Sequence, residues 1–175
     1  MREKDIIDVL RLYRHDLMND LQIIQGYLTM GKMDKVHDKI TSCMAHFDKE
    51  RKLMSLNIPK FALWLIQFNS LHATFRFTYD ICIENKNLNE IDTILLKQCQ
   101  ACINFLEKAA NDSEVFEGNI SLGYQDEMIV TVQIFLAGNL KRLENYEAAP
   151  ILERFSLHMK QEDDGITCNL AIPLN

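Results

Sequence analysis

The chain has 175 residues, enough for one ordinary domain or for a helical hairpin plus a small second domain. An apolar fraction of 47% and a charged fraction of 25% are those of a soluble globular protein, and no apolar run approaches bilayer length, so no membrane partner is expected. A net charge of −6 argues against a nucleic-acid binder that works by neutralising phosphates.

The spacing predicts a first amphipathic helix from about Glu3 to Met30. At about 100° per residue, Leu10, Tyr13, Leu17, Leu21, Ile24 and Leu28 gather on one face, with Leu12, Ile23 and Tyr27 beside them. Gly31 is placed to stop this helix, and Asp34 to cap a second one. The second helix carries Met33, Val36, Ile40, Cys43, Phe47 and Met54 inward. Lys35, Asp38, Lys39, Ser42, His46 and Lys49 form its wet side. So short a connection makes an antiparallel hairpin. The apolar arc of the first helix is too broad for one partner, so two chains should pair as a homodimer through a four-helix bundle.

Asn57-Ile58-Pro59 marks a boundary, dividing a hairpin domain (residues 1–57) from a C-terminal domain (58–175). Residues 60–74 continue as a helix. Phe77, Tyr79, Ile81 and Ile83 then alternate with polar residues as a strand does. Residues 91–110 are helical. Ile120/Leu122/Tyr124 and Met128/Val130/Val132/Ile134/Leu136 read as a strand hairpin around Gln125-Asp126. A short helix is expected near 139–152, then two strands around Asp163-Asp164-Gly165. Helices beside a mixed or antiparallel sheet make a two-layer α/β sandwich, and the whole chain is α+β. Residues 1–57 carry ten Lys/Arg against nine Asp/Glu (+1), and residues 58–175 nine against sixteen (−7). The hairpin is therefore the less repulsive surface for an acidic partner. The N-terminus Met1-Arg2-Glu3-Lys4-Asp5 has no signal-peptide core, so a cytoplasmic location is expected. Five cysteines in that reducing compartment do not read as a disulfide framework.

The chemistry centres on Arg14-His15-Asp16-Leu17-Met18-Asn19. His15 falls nearly opposite the apolar stripe, presented to solvent on a rigid rod. The order His-Asp-x-x-Asn-x-Leu resembles the phospho-acceptor box of two-component histidine kinases. In the organisation of its elements, nearly the whole chain resembles the sporulation initiation phosphotransferase family. That resemblance implies a four-helix bundle followed by a degenerate histidine-kinase ATPase domain. It also implies a phosphorelay in which His15 takes phosphoryl from the aspartate of a single-domain response regulator. The group then passes to the aspartate of a transcription-factor regulator that controls sporulation. Asp16 would orient the ring or tune its basicity, and a plain surface carboxylate is the other reading. Arg14 would screen phosphate charge or stand solvated, and Asn19, one turn on, would hydrogen-bond the phosphoryl group or the partner. No cofactor is expected on this chain, and magnesium belongs in the partner regulator's acidic pocket.

A histidine kinase would follow the hairpin with an Asn box and glycine-rich loops. Where Asn-x-x-Asn-Ala would lie, the chain reads Ile103-Asn104-Phe105-Leu106-Glu107-Lys108-Ala109-Ala110-Asn111, and neither Asp-x-Gly-x-Gly nor G-x-G-x-x-G occurs. The chain is thus expected to carry phosphoryl without loading itself from ATP. Two alternatives stay open: a sensor-type kinase with a divergent nucleotide site, and a non-catalytic adaptor that binds a regulator. Cys99-x-x-Cys102 reads as core because no second ligand pair stands at zinc spacing. Trp64 reads as core or docking surface. His37, His46, His72 and His158 have no acid or cysteine pattern around them and read as structural or solvated.

Overall fold

The computed structural model describes residues 3–110, 114–138 and 156–174. Contacts divide the chain into two compact units, Met1–Glu50 and Arg51–Asn175. The expected helix near 139–152 lies outside the described residues.

The first unit is the antiparallel hairpin of α1 (Glu3–Thr29) and α2 (Met33–Ser55). α1 stops where Gly31 takes a φ of 68°, a conformation a β-carbon resists. The Lys32 N–H donates to the Tyr27 carbonyl and the Gly31 N–H to the Leu28 carbonyl, both at 3.0 Å, closing the helix end. The Val36 N–H donates back to the Lys32 carbonyl at 3.1 Å, so Lys32 stands at the cap of α2. Asp34, expected at that cap, lies inside the first turn, where its charge still complements the positive helix end.

α2 covers only one flank of α1. Val9, Leu12, Ile23 and Tyr27 are half-buried, while Leu10, Leu17, Leu21 and Leu28 stay 58, 37, 49 and 49% exposed. The two flanks lie roughly 110° apart around the helix. On α2, Val36 and Glu50 are buried while Ile40 and Phe47 remain exposed. The Tyr13 and Phe47 rings, with centroids 6.5 Å apart, join the two exposed stripes into one apolar face. Lys39, expected on the wet side, instead folds against α1, because Asp20 takes its ammonium at 2.6 Å.

The second unit begins inside α2, whose Leu53 is fully buried in its core. α3 (Pro59–Leu71) starts with proline at its first position, as expected. Its capping acceptor comes from far away in sequence. Asp92, 3% exposed, accepts the Lys60 N–H at 3.0 Å and the Phe61 N–H at 2.9 Å. β1 (Phe75–Ile81) is followed by a 3-10 turn (Asn89–Ile91) and α4 (Asp92–Ala109). Then come β2 (Phe116–Asp126), β3 (Ile129–Ala137), β4 (Ser156–Glu162) and β5 (Gly165–Pro173). The sheet order is β1-β2-β3-β5-β4, with β1 and β2 parallel and the other pairs antiparallel.

β1 starts slightly earlier than the alternation suggests because Phe75 joins the parallel ladder opposite Phe116. Ile83, expected in the strand, is buried beyond its end. Met128, expected to open β3, sits exposed in the turn, where its N–H donates to the Asp126 carboxylate at 2.8 Å. One sheet face packs Phe77, Ile120, Val132, Ile134, Cys168 and Leu170 into the core with α3 and α4. The opposite face is polar. Asn119 donates to Thr78 and Asp80, both at 3.0 Å, and Gln133 to Asn169 at 3.0 Å. That division gives the two-layer sandwich. At the outer edge of β1, the Asn69 side chain accepts the Phe77 N–H at 2.8 Å and donates to its carbonyl at 2.9 Å. A side-chain amide thus replaces a neighbouring strand and blunts the edge.

Candidate functional site

His15 projects from mid-α1, away from both the α2-covered flank and the exposed apolar stripe. Its side chain is 78% exposed, and that of Asp16 70%. The structure brings these two together, with His15 Nδ1 3.1 Å from Asp16 Oδ1. An ionised carboxylate only accepts hydrogen bonds, so the contact selects the tautomer with hydrogen on Nδ1. The lone pair of the neutral ring then lies on Nε2, facing solvent. Asn19 is exposed one turn further along the same face, and Arg14 is exposed on the other side of His15. Neither makes a side-chain hydrogen bond with the described residues, so the site is an imidazole with one carboxylate beside it on an open helix surface.

Two polar clusters cross the hairpin on either side of His15. In the first, Tyr13 OH donates to Glu50 Oε2 at 3.2 Å, and His46 Nε2 lies 3.3 Å from Glu50 Oε1. Burial, reinforced by the Glu50 charge, pushes the Tyr13 phenol above its ordinary range. In the second, Asp20 Oδ1 meets Lys39 Nζ at 2.6 Å and Asp20 Oδ2 accepts the Cys43 thiol at 3.3 Å. The hydrogen bond from Lys39 holds the Asp20 carboxyl below its usual range, and the same bond raises Lys39. Desolvation, then the Asp20 hydrogen bond, raises the Cys43 thiol.

Sequence reasoning missed both clusters. Tyr13 and Cys43 were assigned to apolar stripes, Lys39 and His46 to a wet side, and Glu50 to nothing. The signal for one of them was present, since His46 and Glu50 stand four apart on a helix. A third histidine also has an acid beside it: His72 Nδ1 lies 2.6 Å from Glu107 Oε1, with its ring stacked on Phe68 at 4.1 Å. That contact joins α3 to α4, and no local pattern announces it. His37 and His158 are exposed.

Cys99 and Cys102 are buried in the core beside Cys168, and burial raises the Cys99 thiol. Trp64 packs between Phe61 and Phe68, with centroids 5.5 and 5.3 Å away. Among the described residues no group of three or more His, Cys, Asp or Glu is arranged to hold a metal ion. No helix among them is long and apolar enough to cross a membrane. A recess of about 410 Å³ at the start of α3 is lined by Asn57, Ile58, Ala62, Asn87 and Asn89 among others and contains no titratable side chain.

Two family models match the chain: "Sensor_kinase_SpoOB-type, alpha-helical domain" over residues 1–56 and "Sporulation initiation phospho-transferase B, C-terminal" over residues 57–163. Sporulation initiation phosphotransferase B of Bacillus subtilis (strain 168) is 28% identical over 123 residues, which cover 70% of this chain and 63% of that relative. The chain thus matches less than two thirds of the relative's length. Among solved structures, the blue-light activated histidine kinase of Erythrobacter litoralis EL346 is 11% identical with a TM-score of 0.52. The match covers 91% of this chain and 59% of that one, a likeness of fold. The histidine kinase domain from the same protein is 14% identical with a TM-score of 0.46, over 65% of this chain and 58% of that one. With the C-terminal model covering more than half of its length, the chain belongs to the sporulation initiation phospho-transferase B family.

Proposed function

We propose that this chain is a phosphorelay phosphotransferase acting in sporulation initiation. His15 takes a phosphoryl group from the aspartyl phosphate of one response regulator, a single-domain donor. It passes the group to the aspartate of a second, a transcription factor. The observation that carries the reading is the contact between His15 Nδ1 and Asp16 Oδ1, which leaves Nε2 as a solvent-facing nucleophile. Family membership supports it.

In the forward step the Nε2 lone pair attacks phosphorus. The N–P bond forms, the acyl O–P bond breaks, and the regulator's aspartate leaves as a carboxylate. The Nδ1 proton stays between the ring and Asp16, whose charge offsets the imidazolium that develops. The return step reverses each bond change onto the second aspartate. Arg14 sits where it can screen phosphate charge, and Asn19 where it can hydrogen-bond the phosphoryl group or the partner. Magnesium belongs in the regulator's acidic pocket, and this chain holds no cofactor of its own.

The exposed apolar face of the hairpin supports a homodimer. A second copy would cover Leu10, Leu17, Leu21 and Leu28 and complete a four-helix bundle. The cytoplasm is the compartment where the two regulators would be met. The missing Asn box and glycine-rich loops support transfer between proteins over ATP-dependent self-phosphorylation.

The test is transfer of labelled phosphoryl from receiver domains charged with acetyl phosphate, with and without ATP, in parent and His15→Gln proteins. An acid-labile, base-stable label acquired from a receiver, absent with ATP alone and absent in the variant, is the expected result. Label from ATP alone would make the chain a kinase with a divergent site. Regulator binding without any label would make it an adaptor.

A further inference from the structure

The seam between α1 and α2 contains two polar clusters where apolar residues would pack more cheaply. Glu50 is 4% exposed, yet its two oxygens serve Tyr13 and His46. Asp20 likewise divides its oxygens between Lys39 and Cys43. A buried carboxylate costs free energy unless it is fully bonded, and replacing such groups with apolar ones is often neutral or stabilising. The best-attested use of polar groups in a helix seam is to specify register.

The spacing fits that use. Tyr13 and Asp20 are seven residues apart on α1, and Cys43 and Glu50 seven apart on α2. Both clusters therefore recur at one heptad in the same antiparallel alignment. A slip of one heptad would set Asp20 against Glu50, two carboxylates, with His46 in place of the Lys39 ammonium. Rotation of α1 would break Tyr13–Glu50 and Asp20–Lys39 together. His15 lies between the two anchoring positions of α1, two residues after Tyr13 and five before Asp20. Its height and direction are thus set by the pair of clusters.

We propose that Tyr13–Glu50–His46 and Asp20–Lys39–Cys43 are positioning residues that fix the register and rotation of α1 and so aim His15 at the docked phosphoryl donor. The inference rests on the phosphotransfer reading above. In-line transfer between two proteins tolerates little misalignment, and a displacement of about 1 Å can cost about a hundredfold in rate.

The test compares the parent with two seam replacements, Tyr13→Phe with Glu50→Leu and Asp20→Leu with Lys39→Met, in the full chain. Two donors are used: an acetyl-phosphate-charged receiver domain, which must dock, and phosphoramidate, which need not. The expected result is a kcat from the receiver lowered about tenfold or more. Phosphoramidate labelling, helix content, thermal stability and oligomeric state should match the parent. Glu50→Gln, which keeps an acceptor for Tyr13, should restore receiver kcat to within about twofold of the parent. Seam replacements with parental receiver kcat would overturn the inference. So would a loss of transfer that follows loss of helix or of oligomer, because the residues would then be merely structural. A parent that accepts no phosphoryl from any receiver would defeat the phosphotransfer reading and this inference with it. A labelled parent with unaffected variants would defeat this inference alone.

Discussion

Asp92→Ala is the sharpest perturbation of the second unit. The carboxylate is buried and accepts two backbone N–H groups at the start of α3, Lys60 at 3.0 Å and Phe61 at 2.9 Å. Hydrogen bonds to a charged acceptor contribute about 1.5–3 kcal/mol each. The Phe61 N–H is buried and would stay unpaired, whereas water can reach the part-buried Lys60 N–H. The expected loss is therefore about 3 kcal/mol, above the roughly 0.5–2 kcal/mol of ordinary helix-cap deletions because the cap is interior and charged. Asp92→Asn keeps one acceptor oxygen and turns an amide N–H toward the second donor, so about half that loss remains. Trp64 is the chain's one tryptophan and lies in α3 itself, which makes its emission a direct probe. Urea titration of the three proteins should give midpoints in the order parent, Asn, Ala, with a drop in Tm of about 10 °C for Ala. An alanine variant within about 1 kcal/mol of the parent would refute the reasoning, since it would mean that the interior cap is replaced by solvent without penalty.

Three further outcomes are expected. Asp16→Asn removes the carboxylate that holds hydrogen on Nδ1, so transfer from a charged receiver should fall about tenfold to a hundredfold, with oligomeric state and helix content unchanged; an unaltered initial rate would discount the Nδ1 contact. Leu21→Glu places a charge on the exposed apolar face, twice in the proposed symmetric homodimer. At about 1.5–3 kcal/mol per leucine, it should weaken self-association by about a hundredfold or more in sedimentation. Lys39 holds Asp20 below its ordinary value of 3.8, so the stabilisation from that pair is complete above this pH and is lost as pH falls through the lower native value. Acid titration of helix circular dichroism should therefore show a loss below about pH 4 that is smaller in Asp20→Asn.

Much of the architecture was legible because it rests on local periodicity. The three- and four-residue spacing of Leu10, Tyr13, Leu17, Leu21, Ile24 and Leu28 marked α1, and Gly31 its end. Alternation marked β2, β3 and β5, and the turn at Asp163-Asp164 the last hairpin. Side-chain partners across elements were not legible. Asp92 caps a helix that begins 33 residues before it, and Asn69 completes an edge from a helix, so neither has a local signature. Glu50 has no place in either pattern read along α2. Yet it is buried, and Tyr13 from α1 and His46 from its own helix meet its two oxygens. The motif on which the proposed phospho-acceptor rests, Arg14 to Asn19, stands in the sequence as a local pattern. What the sequence lacked was the ring orientation, which depends on one carboxylate 3.1 Å from Nδ1.

A nucleophile on the outward face of a helix has a consequence for how phosphotransfer specificity would arise. A cleft would enclose one substrate and exclude water through its own walls. Here His15 is 78% exposed with one carboxylate beside it, so on the proposed function the walls would come from a docked partner. Charge stabilisation and the metal would arrive with the regulator, and the chain would supply the nucleophile, its tautomer and its aim. The same open face could then receive two different aspartyl partners in succession, which a fitted pocket would not allow. Discrimination would rest on the surface around His15 and catalysis on the precision of its placement. On the positioning proposal, that division of labour would explain why a helix seam keeps two buried polar clusters: they would set the one coordinate this chain has to provide.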